Sequence, residues 1–392
     1  MRVGTHSGHQ GSQWHYFDDE DLQAVKAVLD AGALGTIMPS PPLQALEQDF
    51  CDTFNSPHAM GVVNAMAGLH SAVAAAGAGA GDEVIVDSLV GFGGIAATFN
   101  NAIPVFADVR RDTHTMDPQS LKACISERTK AVIVTQLWGL IADMDEILAI
   151  AKEHNLMVIE DCAHAIFAQY HGKYAGTIGD IGVFSFQESK QLGTGEGGMI
   201  LYQDPEVGKR LEQMITFGTM PERIALNYRI TAVMAAIAGV QFKRTPGYVD
   251  ICMRSGAHYN AAVADTDLIQ AQVTPEGRVH TYHLWAGTYE GDAKGLPMDD
   301  FIKVCEEKGF SCMWRYIQKA PYLYEVFQQP VAFGRGCPMQ CPLRLRDVSY
   351  APGTCPNAED IMSKLLLVWT GGDPDAHKAA ADNLRAAVEA VS

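Results

Sequence analysis

Lys190 and Asp161 are the two side chains whose types and spacing indicate a specific chemistry. Lys190 closes the run Phe-Ser-Phe-Gln-Glu-Ser-Lys ahead of the glycine-rich stretch 195–198, and Asp161 lies upstream, after the apolar run 156–159. A lysine amine can form a Schiff base with an aldehyde, and a carboxylate beside a pyridine nitrogen keeps that nitrogen protonated. Pyridoxal 5′-phosphate (PLP) chemistry requires both groups. The pair therefore predicts PLP as the cofactor, bound covalently by Lys190 and paired with Asp161.

Three motifs around this pair carry a family resemblance. They read Ile-Glu-Asp-Cys-Ala-His-Ala from residue 159, Gly-Asp-Ile-Gly-Val-Phe-Ser-Phe-Gln-Glu-Ser-Lys up to Lys190, and Gly-Glu-Gly-Gly at 195–198. On these motifs the chain resembles the DegT/DnrJ/EryC1/StrS aminotransferases, PLP enzymes of fold type I that aminate keto sugars and keto cyclitols. Cys-Pro-Asn-Ala-Glu at 355–359 is similar to the branch with aminocyclitol aminotransferases and aminohydroxybenzoate synthases. The resemblance also extends through 81–85, 101–109, 130–133 and 227–229.

The order of sequence patterns predicts a layered α/β domain. Apolar runs of strand length alternate with amphipathic segments of helix length, which is typical of a largely parallel sheet covered by helices. Pro246 predicts a helix break, followed by a smaller α+β region. The resemblance implies an aspartate aminotransferase-like fold, with a large PLP-binding domain at 1–245, including an N-terminal segment, and a small C-terminal domain at 246–392. We expect strands at 83–86, 104–108, 131–135, 156–160, 182–185 and 199–202, and helices at 43–53, 67–76, 118–126, 144–154, 205–216, 229–242 and 249–263.

A phosphate group requires backbone N–H donors at a helix start together with side-chain donors. The resemblance places such a turn at 63–69, but Ala65 and Met66 stand where the family has a Gly-Thr pair. Their amides can still donate, whereas the hydroxyl is lost, so we expect Ser185 to carry more of the phosphate binding. Asn227 would reach the phosphate in a neighbouring subunit, which implies a homodimer with shared active sites. Alternatively, Asn227 is a turn residue before a helix.

The cofactor ring needs a flat cover on its face. Phe92 is the candidate for this cover, with a place in the hydrophobic core as the alternative. The resemblance assigns His164 to the ring or its phenolic oxygen, and the alternative is a packed histidine. Phe167 stands where the family has glycine, and we expect it to narrow the pocket.

The stretch Cys-Met-Trp-Arg-Tyr at 312–316 resembles a loop beside the substrate in the related branch. Arg315 is a candidate for the carboxylate of the amino donor, because a guanidinium can bind a carboxylate through two parallel hydrogen bonds. An ion pair at the surface is the alternative for Arg315. Tyr316 is the second substrate candidate in this loop.

Composition argues against several other classes of protein. The net charge of −17 disfavours a nucleic-acid backbone or an anionic membrane surface as partner. No stretch approaches the ~20 uncharged apolar residues of a membrane span, and the first residues lack the apolar region of a secretory signal. Nine scattered cysteines are typical of reduced thiols. The pair Cys337 and Cys341 has no second pair to complete a tetrahedral metal site. We therefore expect a cytoplasmic protein without a metal.

These features together predict an aminotransferase. An amino acid, glutamine or glutamate, would donate nitrogen and leave as a keto acid, and a keto sugar or keto cyclitol would then be aminated in the same site, in a natural-product pathway such as antibiotic biosynthesis. One alternative is a PLP lyase or dehydratase, such as an aminohydroxybenzoate synthase-like enzyme, since a fold does not determine the reaction. A second is a catalytically silent PLP-fold binding protein, which the altered turn at Ala65 and Met66 and the presence of Phe167 would support.

Overall fold

The computed structural model describes residues 16–38, 40–217, 225–329, 332–334 and 336–391. Within these ranges the strands are β1 (His58–Val62), β2 (Glu83–Asp87), β3 (Ile103–Ala107), β4 (Thr129–Thr135), β5 (Met157–Asp161), β6 (Gln169–Tyr170), β7 (Lys173–Tyr174), β8 (Ile181–Ser185), β9 (Gly198–Tyr202), β10 (Ile269–Ala271), β11 (Arg278–Val279), β12 (Leu284–Tyr289), β13 (Met313–Trp314) and β14 (Leu365–Trp369). The α-helices are α1 (Asp19–Ala31), α2 (Pro41–Phe54), α3 (Ala65–Ala75), α4 (Phe92–Phe99), α5 (Pro118–Cys124), α6 (Met144–Glu153), α7 (Pro205–Ile215), α8 (Ala232–Val263), α9 (Met298–Glu307), α10 (Glu325–Gln328), α11 (Pro356–Lys364) and α12 (Pro374–Val391). Short 3-10 helices lie at Leu137–Gly139, Gly291–Lys294 and Pro321–Leu323.

The central sheet has seven strands in the order β1-β9-β8-β5-β4-β2-β3. The pairs from β8 through β5, β4 and β2 to β3 are parallel, and β9 alone runs against the others. This confirms the predicted sheet and its six predicted strands. β1 is an additional strand, whose sequence His-Ala-Met-Gly-Val has too few β-branched residues to indicate it. The carboxyl ends of β1, β2, β4, β5 and β8 meet at one edge, where α/β folds place their ligands.

Helices cover both faces of this sheet, as the alternating sequence pattern predicts. On one face, α3 and α4 contribute Leu69 and Ala97 to a buried apolar cluster. On the other face, α2 and α8 contribute Phe50 and Phe242, whose rings stack with centroids 4.4 Å apart. Burying an aromatic side chain of this size stabilises a fold by about 1.5–3 kcal/mol relative to leaving it exposed. The two apolar layers hold the strand ends in fixed relative positions.

Helix α8 runs without interruption from Ala232 to Val263, with Pro246 inside it. The helix break predicted at Pro246 is therefore wrong. A proline in a helix interior costs about 3 kcal/mol because it removes a hydrogen bond. Here Phe242 and Val249 are buried on either side of it, and this packing outweighs the local cost. The division into domains at 245/246 falls within α8 and stays a prediction.

The part of the chain beyond α8 contains a four-stranded antiparallel sheet in the order β10-β12-β14-β13. Side chains from α9 and α12 pack with it in a cluster of their own, which confirms the α+β character predicted for this part. Strands β11, β6 and β7 form a third, small sheet. No helix in the described ranges is both long and apolar enough to cross a membrane.

The fully buried side chain of Glu160 joins the central strands to their connecting loops. Its Oε1 accepts hydrogen bonds from the amides of Ile178 (2.8 Å) and Gly179 (2.7 Å). Its Oε2 accepts from the amide of Gly176 (3.0 Å) and from Nε2 of Gln136 (2.9 Å). Burial raises the pKa of this carboxyl, and the four N–H donors oppose that rise. Glu160 thereby positions the segment that leads into β8.

We expect Glu160→Gln to lower the free energy of unfolding by about 2–4 kcal/mol. The NH2 group of the glutamine would replace one carboxylate oxygen and would face two N–H groups that then have no acceptor. Chemical denaturation at neutral pH measures this loss. Glu153→Gln is the control, because this side chain is 61% exposed and its ion pair with Lys122 is long, at 3.7 Å. Its effect should stay within about 0.5 kcal/mol. Equal stability of the Glu160 variant and the unmodified protein would contradict the role assigned to Glu160.

Candidate active site

A cavity of about 1250 Å³ opens at the carboxyl edge of the central sheet. Its walls come from the loops after β2, β4, β5 and β8 and from segments between residues 283 and 377. Four of the predicted site residues line it, namely Phe92, His164, Lys190 and Tyr316. The structure thus brings together residues that are far apart in the sequence.

Lys190 lies in the loop between β8 and β9, which backbone hydrogen bonds hold in place. The amide of Lys190 donates to the carbonyl of Gln187 (2.8 Å), and the amide of Glu188 donates to the carbonyl of Gly195 (3.1 Å). Oε1 of Gln187 accepts from the amide of Ser189 (2.9 Å). Gly195 has a φ of 95°, a conformation that favours glycine. The loop therefore presents the lysine from a fixed backbone.

The amine of Lys190 and the carboxylate of Asp161 interact in a buried environment. Burial lowers the pKa of Lys190 to about 8, and the charge of Asp161 opposes that fall. Burial also raises the pKa of Asp161, while the amide of Ala163 (3.1 Å) and the charge of Lys190 lower it. A lysine with this pKa is partly neutral near neutral pH and can therefore act as a nucleophile or a base.

His164 forms the centre of a stack of three rings on the cavity wall. Its ring centroid lies 4.5 Å from that of His283 and 5.5 Å from that of Trp138, with interplanar angles of 29° and 17°. Burial lowers the pKa of His164 well below its usual value, and the charge of Lys190 adds to this effect. The imidazole is therefore neutral. Its Nδ1 has no hydrogen-bond partner among the described residues.

Trp138 and His283 are site residues that the sequence reasoning missed. Trp138 follows β4 at the carboxyl edge, and its φ of 61° is unusual for a bulky residue. Its place after a predicted strand is a signal that could have found it. His283 immediately precedes β12, and no local pattern connects that segment to the central sheet.

The start of α3 and the end of β8 form a cradle of hydrogen-bond donors. Asn64 caps α3 by accepting from the amide of Ala67 (2.9 Å). None of the described residues accepts from the amides of Ala65 and Met66. Ser185 pairs with Gly198 across β8 and β9. A Cβ at Gly198 would lie 3.1 Å from the amide nitrogen of Ala65, so glycine permits this close approach.

These features fit PLP. The cradle offers N–H and hydroxyl donors to a phosphate group at a helix start. The buried carboxylate of Asp161 suits a protonated ring nitrogen, and Lys190 suits the aldehyde. The unpaired Nδ1 of His164 is available to a polar group of a bound ring.

The remaining predicted residues lie in different surroundings. Phe92 begins α4, lines the cavity and is 54% exposed, which argues against the core alternative, and its role as cover of the cofactor ring stays a prediction. The guanidinium of Arg315 binds Asp299 (2.7 Å) and the carbonyl of Ser363 (3.2 Å) and does not line the cavity. This geometry favours the ion-pair alternative for Arg315.

Phe167 does not narrow the cavity, so that expectation is wrong. Its ring packs against Phe54 and Phe242, at centroid distances of 5.2 and 5.9 Å, in the cluster that faces the other side of the sheet. Its φ is 61°. A left-handed backbone, rather than a need for space, explains why glycine suits this position. Asn227 is exposed, forms a bridge with Thr216, and does not line the cavity of its own chain.

The fold and the lysine–aspartate pair define the class of fold type I PLP proteins. The chain belongs to the DegT/DnrJ/EryC1/StrS aminotransferase family, whose sequence profile matches residues 15–370. This confirms the resemblance, and it confirms the predicted enzyme class at the level of the family.

Named relatives support this assignment. A protein of Streptoalloteichus tenebrarius, provisionally named L-glutamine:3-amino-2,3-dideoxy-scyllo-inosose aminotransferase, is 36% identical over 56% of this chain and 55% of its own length. GDP-perosamine synthase of Caulobacter vibrioides is 40% identical over 50% and 55%. The chain thus spans about half the length of these two relatives. The pleiotropic regulatory protein of Geobacillus stearothermophilus is 33% identical over 70% of this chain and 74% of its own length.

Solved structures confirm the fold. DesV of S. venezuelae superimposes with a TM-score of 0.81 and 26% identity, covering 95% of this chain and 94% of DesV. 3-Amino-5-hydroxybenzoic acid synthase gives a TM-score of 0.83 at 22% identity, covering 96% and 98%. At that identity the second likeness concerns the fold alone.

We expect the apoprotein to capture PLP covalently at a rate that rises with pH through about 8, because only the neutral amine of Lys190 attacks an aldehyde. Asp161→Asn should move this midpoint to lower pH, since the charge of Asp161 raises the pKa of Lys190. The growth of visible absorbance after mixing measures the rate. Lys190→Ala should abolish capture, whereas Lys319→Ala, at the exposed side of the cavity, should leave it unchanged. A midpoint of about 10, the ordinary value for lysine, would contradict the lowered pKa of Lys190.

Proposed function

We propose that this protein is a PLP-dependent aminotransferase that moves an amino group from an amino acid to a keto sugar or keto cyclitol. The observation that carries this proposal is the interacting pair of Lys190, which lines a cavity of about 1250 Å³, and Asp161, which is buried next to it. Ligand pockets usually measure about 300–1,000 Å³, so this cavity has room for a cofactor and a second molecule. Membership of an aminotransferase family supports the same reading.

Lys190 and Asp161 would divide the chemistry between them. When bound, PLP supplies an electron sink for the electron pair left on a substrate carbon. Asp161 would keep the ring nitrogen protonated, because an opposite charge favours the charged form. Neutral Lys190 would accept a proton from the substrate carbon at its Nζ and return it to a neighbouring position, and its pKa of about 8 suits both steps.

Other residues of the chain would hold the cofactor and orient it. The amides of Ala65 and Met66 and the hydroxyl of Ser185 are suited to the phosphate group. His164, neutral and stacked between two rings, would contact the cofactor ring without adding charge. Phe92 would cover the outer side of the cavity and limit the access of water.

The outer walls of the cavity suit a polyol. Tyr316, Tyr324 and Trp369 provide flat apolar faces, and Gln318 is an amide that can bind hydroxyl groups. Lys319 is the second lysine on the described walls, and we assign it, in place of Arg315, to the carboxylate of the amino donor. Glutamine and glutamate are the donors that we propose.

Adding glutamine or glutamate to the PLP-loaded protein should replace the visible band of the lysine-bound cofactor and release one keto acid. Lys190→Ala has no lysine-bound band, and in the presence of added PLP its release of keto acid should be about 10²–10⁴-fold slower, since the general base is removed. Lys319→Ala should raise the donor concentration needed for half-maximal conversion and leave the maximal rate nearly unchanged. Absorbance and a keto-acid assay measure these effects.

The same experiment separates the alternatives. A lyase or dehydratase would consume its substrate without releasing a keto acid from a donor. A bound cofactor that no amino acid converts would favour the silent binding protein, which the name of the Geobacillus relative keeps open. Failure to bind PLP at all would overturn the proposal.

A homodimer with shared active sites is part of this proposal. Asn227 is exposed and lies beside Leu226 and near Phe217, two exposed apolar side chains that a partner subunit would cover. We assign Asn227 to the phosphate in the partner's site and expect the site of each chain to be incomplete alone.

Mixed dimers test this arrangement. Lys190→Ala and Asn227→Ala should each be nearly inactive, but after unfolding and refolding together they should regain about a quarter of full activity, because half of the dimers are hybrids with one intact site of two. No recovery would mean that both residues act within one chain. Mixing Lys190→Ala with Asp161→Ala, two residues of the same site, is the control and should restore nothing.

A further inference from the structure

Asp87 is a buried carboxyl at the end of β2 that the roles assigned above do not use. Its Oδ1 accepts hydrogen bonds from the amides of Leu89 (3.0 Å) and Val90 (2.9 Å). Its Oδ2 accepts a hydrogen bond from the hydroxyl of Thr135. Burying a carboxyl lowers the stability of a fold. Its presence here therefore suggests a role for its polar atoms or its charge.

Thr135, which donates to Asp87, lies next to Asp161 in the central sheet. Thr135 ends β4, which lies between β2 and β5, and it pairs with Asp161 in the parallel register of β4 and β5. Adjacent strands are about 4.8 Å apart, so the two acids end strands that lie about 10 Å apart on the same edge. Burial raises the pKa of Asp87 to about 6, and the charge of Asp161 adds to that rise.

Among the described residues around β2, Asp161 is the charged group that affects the pKa of Asp87. Asp108, after β3, instead accepts from the amides of Asn357 (3.0 Å) and Ala358 (3.0 Å) at the start of α11. Helix α4, which packs on β2, has the sequence Phe-Gly-Gly-Ile-Ala-Ala-Thr-Phe and carries no titratable side chain. Asp161 therefore couples to Asp87 by charge, and it also interacts with Lys190.

The two amides that Asp87 binds belong to the wall of the cavity. Residues 89–92 line the cavity, and a Cβ at Gly91 would lie 3.3 Å from the ring of Tyr324, which also lines it. This close approach requires a fixed backbone at 89–92. The hydrogen bonds that Asp87 accepts from the amides of Leu89 and Val90 supply that constraint and orient Phe92 at the start of α4.

We propose that Asp87 is a positioning residue: its hydrogen bonds fix the cavity wall at 89–92, and its negative charge strengthens the hold of Asp161 on the ring proton. This inference rests on the proposed function, because it concerns the same site. A second negative charge two strands away from Asp161 favours the protonated ring, since an opposite charge nearby stabilises a cation.

The apoprotein provides the first test. The folded pKa of Asp87 is about 6, against an ordinary value of 3.8, so charging it in the folded state costs stability as the pH rises between these values. Asp87→Asn keeps an oxygen for both amides and removes the charge. The variant should therefore gain thermal stability over the unmodified apoprotein: the difference between the two melting temperatures should grow as the pH rises through this window and then stay constant. Parallel curves would overturn the charge assignment.

The PLP-loaded protein provides the second test. Asp87→Asn should bind PLP about as tightly as the unmodified protein but slow the donor half-reaction roughly 3–10-fold at neutral pH, which corresponds to a shift of about 0.5–1 pKa unit at the ring. Asp87→Ala, which also releases the wall at 89–92, should weaken PLP binding in addition. If Asp87→Asn reacts at the full rate, the inference fails and the proposed function stands. If the unmodified protein converts no donor, the proposed function fails, and the melting curves still decide whether Asp87 is a charged member of the pair.

Discussion

The hydrogen-bonded carboxyl of Glu160 is the constraint on which the geometry of the site depends. Successive side chains of a strand point to opposite faces of a sheet, so Glu160 and Asp161 act on different sides of β5. Glu160 binds the turn before β8 and the side chain of Gln136 after β4. Since β8 leads into the loop of Lys190, this buried acid sets the position of that lysine relative to Asp161.

The sequence predicted the parts of the molecule whose signals are local. Lys190, Asp161 and the strands that precede them stand out because apolar runs and glycine-rich turns mark them. Helix α4 escaped prediction because it begins Phe-Gly-Gly, which contains poor helix formers. His283 reaches the cavity through tertiary packing that no short pattern encodes.

Two expectations failed because a residue type has more than one physical meaning. Pro246 normally ends a helix, but buried neighbours on both sides keep α8 continuous. The family glycine at the position of Phe167 suggested a need for space, whereas the backbone there has a φ of 61° and the ring lies in another cluster. Asp87 is a further miss, since an acid after a strand resembles an ordinary turn residue.

The continuity of α8 has a mechanical consequence. A helix of 32 residues is about 48 Å long at 1.5 Å per residue. Before Pro246, Gln241 donates to Asp21 of α1, and near the end of the helix Tyr259 contacts His377 of α12, a residue on the cavity wall. One continuous helix therefore connects α1 to α12 and, through α12, to the cavity wall. Because a proline removes one hydrogen bond from the helix ladder, Pro246 is the position at which this helix would bend most easily, and such a bend would move His377 relative to the central sheet.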